Sequence, residues 1–123
     1  MEDFANSLCI FDDIATIHDK DLLKAVNKLK NDIMETGRAS NIMLISITHQ
    51  LRNWGQTKNE ASDCSMTVFF PRFSKHQQKS FLKLNGLEDK TIDRILKLPS
   101  RWVAYSRVVP SFILHEHGGI ILD

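Results

Sequence analysis

The chain has only two cysteines, Cys9 and Cys64. They are too few and too far apart for a disulfide scaffold or a thiolate metal site, and that usage predicts an intracellular setting. Three prolines and five glycines leave no low-complexity tract, and no internal repeat is visible. Long apolar runs are also missing, so no segment is expected to span a bilayer and none reads as a signal peptide. Neither sign of charge dominates, the formal net charge being +1. With 42% hydrophobic and 25% charged residues in 123, the composition is that of an ordinary globular protein, and the length suits one domain over 1–123.

The near-zero net charge hides an asymmetry. From Met1 to Thr36 eight acids face four lysines, a net −4; from Pro71 to Arg107 nine bases face three acids, a net +6. A basic second half is either a nucleic-acid face or a solvated helix surface. Lys75, Lys79 and Lys83 recur every four residues, so they share a helix face that either tracks phosphates or keeps the helix soluble.

The most informative stretch is Leu8-Cys9-Ile10-Phe11-Asp12-Asp13. Four apolar residues read as a short strand buried on both faces, and Cys9 within it as a small buried hydrophobe. Two ionised carboxylates cannot stay in a core without partners, so they are expected at the carboxyl edge of a parallel sheet, where open α/β folds bind ligands. Two chemistries use that arrangement. In one, the first carboxylate holds Mg²⁺ beside a nucleotide and the second polarises a water. In the other, an acidic pair binds Mg²⁺ for phosphoryl transfer to a third aspartate. A strand followed by an acidic turn and a helix cap needs no ligand at all.

The remaining chain predicts an α/β fold. Asp19 or Asp21 caps a helix on which Leu22, Val26, Leu29 and Ile33 share a face, and Gly37 ends it. Ile42–Ile47 is a second apolar strand leading to Thr48-His49-Gln50, which completes a βαβ unit with parallel strands. Residues 51–63 read as a loop and Met66–Phe70 as a third strand. Ser74 caps a helix carrying Phe81, Leu82 and Leu84, and Glu88–Leu98 forms another. Trp102–Val109, Ser111–His115 and Gly119–Leu122 read as antiparallel strands, with Gly118-Gly119 as the hairpin turn. Trp54 and Trp102 read as packing residues.

Taken together, LCIFDD at 8–13, GRASNIMLISITHQLR at 37–52 and the strand-rich tail resemble the second half of a P-loop ATPase of the FtsK–HerA group. Within that group they are most similar to the poxvirus-type genome-packaging ATPases of large DNA viruses. The resemblance implies a partial P-loop, RecA-like parallel sheet with flanking helices and a C-terminal β-hairpin. LCIFDD would be the Walker B strand. Asp12 would hold Mg²⁺ or a water of its shell, and Asp13 would orient or deprotonate the attacking water; the family often has Glu there. Gln50 would sense the γ-phosphate, and Arg38 would be the arginine finger reaching a neighbouring subunit's nucleotide, with Arg52 as its rival. Gln50 also reads as an ordinary strand-end amide, and Arg38 as a solvated turn residue. The expected setting is a virus factory or the host cytoplasm.

The departure from the family is as important as the match. No G-x-x-x-x-G-K-S/T occurs in the chain, and its Gly118-Gly119 pair has no lysine beside it. The phosphate-loop strand is therefore absent, and with it the backbone cradle, the lysine and the Mg²⁺-binding hydroxyl. The expectation is the C-terminal half of a DNA-packaging ATPase, hydrolysing ATP only when another polypeptide supplies the missing N-terminal half. Ile42–Ile47 would be left with an open edge that recruits that polypeptide or a second copy.

Three other readings remain. A non-catalytic nucleic-acid-binding or assembly module would use the basic second half. A receiver-like Mg²⁺-binding domain needs a phospho-accepting Asp after its third strand, whereas the strands here end in Thr48-His49-Gln50 and Pro71-Arg72. A metal site at His115 and His117 has no third ligand close in sequence.

Overall fold

The apolar run at the head of the chain forms β1 (Leu8–Asp12) and pairs in parallel with β2 (Met43–Ile47), Leu8 lying opposite Met43 and Asp12 opposite Ile47. The computed structural model describes residues 1–49, 63–72 and 75–122. They divide between two compact units, Met1–Trp54 and Gly55–Asp123. Together the units carry parallel strands, flanking helices and a C-terminal hairpin, the α/β character expected from the sequence.

In the first unit, helix α1 (Lys20–Thr36) crosses between the two parallel strands. Asp19 is its N-cap, its carboxylate accepting from the N–H groups of Asp21 and Leu22 at 2.9 and 3.0 Å. Ile33 is buried, Val26 and Leu29 are half-buried, and Leu22 turns out exposed, its inward place taken by Leu23. Gly37 ends the helix as expected, standing as its C-cap, but with right-handed backbone, φ −60°, that does not itself call for glycine. It is small for another reason: a Cβ there would lie 3.2 Å from Ile33 Cγ2 and 3.3 Å from Ile42 Cβ. The left-handed position is Asn41, φ 53°, whose side-chain N–H donates to Asn6 Oδ1 at 3.0 Å and ties the amino edge of the strand pair together.

The expectation that β1 is buried on both faces is corrected. Burial alternates along both strands. Cys9, Phe11, Leu44 and Ser46 are half-buried, while Leu8, Ile10, Met43, Ile45 and Ile47 are exposed. Among the described residues each strand has one neighbour only, leaving two outer edges and one apolar face open.

The second unit holds the core. Four antiparallel strands, β3 (Met66–Phe69), β4 (Val103–Ser106), β5 (Phe112–His115) and β6 (Gly118–Ile121), pair in chain order. β3 therefore joins the antiparallel sheet through β4 and does not extend the parallel pair. Helices α2 (Lys75–Leu84) and α3 (Asp89–Leu96) supply Phe81, Leu82, Ile92 and Ile95 to a core shared with Phe69, Val103, Tyr105 and Ile113. The Phe81 and Tyr105 rings meet edge to face, 6.4 Å between centroids. α2 ends in a Schellman motif: Gly86 has φ 83°, its N–H reaches Lys83 O at 3.0 Å, and the Leu87 N–H reaches Leu82 O at 3.2 Å. Leu87 then packs on the core.

The hairpin turn is Glu116-His117, not Gly118-Gly119, because His115 pairs with Gly118 and both glycines enter β6. Glu116 is captured there. Its carboxylate accepts from the Arg101 N–H at 2.9 Å and from Arg101 Nε at 2.5 Å, and its own N–H donates to Ser100 Oγ at 3.2 Å. Gln50, Arg52, Trp54 and Ser74, with nearly all of the loop expected at 51–63, lie outside the described residues.

Candidate functional site

Parallel pairing brings the carboxyl ends of β1 and β2 side by side, which decides what gathers there. Asp12 is the last residue of β1 and Asp13 follows it; His49 stands two residues beyond Ile47, the partner of Asp12. Ligand atoms of Asp12, Asp13 and His49 lie within 4.8 Å of one another, and His49 Nε2 is 3.6 Å from Asp13 Oδ1. Asp13 takes left-handed backbone, φ 48°, a conformation Asp tolerates better than most residues. Its N–H reaches back to Ile47 O at 3.4 Å, and its carbonyl accepts from the Thr16 N–H at 2.9 Å and the Thr16 hydroxyl at 2.8 Å. The backbone bend turns the chain off the sheet directly after the second carboxylate, as the position of the acidic pair requires.

Chemically, the cluster offers two adjacent carboxylates and one imidazole at an open sheet edge. Asp12 is exposed and Asp13 half-buried, so both can meet solvent or a ligand. A hard divalent cation such as Mg²⁺ binds through one or two carboxylates while keeping several waters, and this pair has the donors for that. His49 stands beside the Asp13 carboxylate at 3.6 Å, beyond hydrogen-bond distance. The same three residues also suffice for a solvated turn with an ion pair.

The other expected site residues are placed differently. Arg38 is exposed in the 3-10 turn Gly37–Ser40, before β2, on the amino edge of the sheet. The five residues of β2, roughly 16 Å of strand, separate that edge from the acidic cluster. Gln50 lies outside the described residues. His49 was not singled out in the sequence. Its signal was present: in parallel strands of matched register, residues just past both strand ends become neighbours.

In the second unit the lysine row is partly engaged. Lys79 Nζ lies 3.7 Å from both Asp89 and Asp93, and Lys83 Nζ lies 3.2 Å from Asp89. Two of the three lysines of that row thus face carboxylates on α3. The Lys83 hydrogen bond, with the charges of Lys83 and Lys79, holds the Asp89 carboxyl below its ordinary range. The hydrogen bond from Arg101 does the same for Glu116. A carboxyl with a depressed folded-state pKa adds stability that is complete above its unfolded value, near 4, and is lost as pH falls through the lower folded value. The second unit should therefore lose stability below about pH 4. Thermal melts of wild type and Asp89→Asn across that window check this: the wild-type Tm should fall more steeply than the variant's.

His115 and His117 stack edge to face with centroids 6.2 Å apart, and His115 Nδ1 accepts from the His117 N–H at 3.3 Å. No third metal donor joins them among the described residues. No helix among the described residues is long and apolar enough to cross a membrane.

No family model matches the chain, and no solved structure matches it. The chain is similar to "Uncharacterized protein V3" of Sputnik virophage, 38% identical over an alignment of 122 residues, with 96% of this chain and 49% of the relative covered. The chain thus spans about half the length of this curated relative, which is a viral protein.

Proposed function

We propose that this chain is the Walker B half of a viral DNA-packaging ATPase, a motor that couples ATP hydrolysis to DNA translocation. The observation that supports it best is the acidic pair Asp12-Asp13 at the carboxyl edge of an apolar strand, beside the end of its parallel neighbour. A viral relative about twice as long suits a motor whose other half carries the phosphate loop. When bound, Mg²⁺ would supply positive charge against the negative charge of a nucleotide's phosphates. Asp12 would hold the ion or its water shell, and Asp13 would orient or take up the proton of the attacking water. Gln50 would read the γ-phosphate. Arg38 sits on the opposite edge from its own Asp12, so as an arginine finger it would serve the nucleotide of a neighbouring subunit. The bases of the second half not already facing α3 carboxylates would meet DNA. This reading carries with it an intracellular setting, the virus factory or host cytoplasm.

Without a phosphate loop, the carboxylates repel a nucleotide's phosphates, so the chain alone is inactive. Calorimetric titration with Mg-ATP tests this. The chain alone should show no micromolar binding. Fused to the half of the virophage relative that it does not match, it should bind in the micromolar range, and Asp12→Ala should abolish that binding. Micromolar binding by the chain alone, lost in Asp12→Ala, would instead mean a complete nucleotide site of another kind. No binding in either form rejects the ATPase reading.

A further inference from the structure

The open face of the parallel strand pair is the largest unexplained feature of the first unit. Leu8, Ile10, Met43, Ile45 and Ile47 are 51, 59, 67, 43 and 43% exposed. The register sets Leu8 beside Met43 and Ile10 beside Ile45, and Ile47 closes the row opposite Asp12. Five large apolar side chains therefore form one continuous patch, not scattered single residues. Parallel sheets occur almost only with both faces covered, and a two-stranded sheet is marginal alone.

We infer that this face is a docking surface for the further polypeptide that the virophage relative carries beyond the region matched here. That relative is 38% identical and leaves about half of its own length unmatched, so a similar protein carries further chain about as long as this one. The face dictates the chemistry of its occupant. A layer with an apolar stripe must cover Leu8 to Ile47, with polar hydrogen-bond donors at the rim, because Asp12 shares this face and a carboxylate there cannot be enclosed unpaired. The strand edges beside it stay available to extend the sheet. The inference does not depend on the nucleotide reading and holds whether or not the acidic cluster takes Mg-ATP.

Cysteine labelling tests it. Ile10→Cys and Met43→Cys are placed one at a time in the full chain and in its fusion to the unmatched half of the relative, in the relative's own order. Maleimide uptake is located by mass spectrometry, which separates the new thiol from Cys9 and Cys64. Val109→Cys, in the second unit and 85% exposed, is the control. Both face positions should label as fast as the control in the chain alone and at least 50-fold slower in the fusion, with the control unchanged. Fast labelling in the fusion overturns the proposal. So does slow labelling in the chain alone: if it varies with concentration a second copy is the occupant, and if it does not, this chain's own second unit is.

Discussion

Leu82→Ala should destabilise the second unit by about 3 kcal/mol, the middle of the range for a fully buried leucine. Leu82 is 0% exposed and belongs to the cluster with Ile92, Ile95, Val103 and Ile113. Its loss removes several methyl and methylene groups from contact and leaves a cavity lined by two helices and a sheet, elements that cannot easily collapse into it. In a unit of this size such a change lowers Tm by about 12–24 °C. Amide exchange in β4 is the sharper readout, since Val103–Ser106 are all buried. Their exchange should quicken about 100-fold. Ile10→Ala makes the contrast: a side chain more than half exposed loses little contact, and its stability cost should stay below about 0.5 kcal/mol. A Leu82→Ala penalty under about 1 kcal/mol would mean that the packing around α2 is not as described.

On the ATPase reading proposed above, Asp13→Asn should slow ATP hydrolysis at least 100-fold in the fusion to the unmatched half of the relative, the usual contribution of a positioned general base. The substitution keeps the size and the turn-forming habit of the side chain, so the left-handed bend and the Thr16 contacts should survive. What goes is the charge that accepts a proton from water and pairs with His49. Phosphate release under saturating Mg-ATP reads kcat directly. Binding of Mg-ATP should be nearly unchanged, because Asp12 and not Asp13 is assigned to the ion. A variant that hydrolyses at the wild-type rate removes Asp13 from the chemistry, and one that merely loses binding makes it a ligand instead.

Much of this arrangement was legible in the residues. Apolar runs bounded by Asp13 and by Asn41 marked the two parallel strands, and the periodicity through Ile33 marked the helix between them. Asp19 was one of two candidate caps and proved to be the cap. The acidic pair declared itself because charge directly after four apolar residues has few places to go. Other features were not legible. The strand Met66–Phe69 gave no sign of which sheet it would join, since its partner β4 lies more than thirty residues away and pairing is a long-range choice. The hairpin was misplaced by one dipeptide because Gly118-Gly119 looks like a turn, whereas Arg101 and Ser100 hold Glu116 and move the turn back. The lysine row read equally as a phosphate track or a solvated helix face, and nothing local in the sequence showed that α3 brings Asp89 and Asp93 against two of its members.

The amino-acid sequence by itself determined the local elements and the placing of two carboxylates at the end of β1, because strand, helix and cap preferences act over a few residues. It also determined that no phosphate loop is present. Tertiary structure alone decided that His49 joins Asp12 and Asp13, that Arg38 stands at the other end of the sheet, and that one face of the parallel pair is open. Those outcomes depend on register and on what covers each surface, and a periodic apolar strand looks the same whether one face is covered or two.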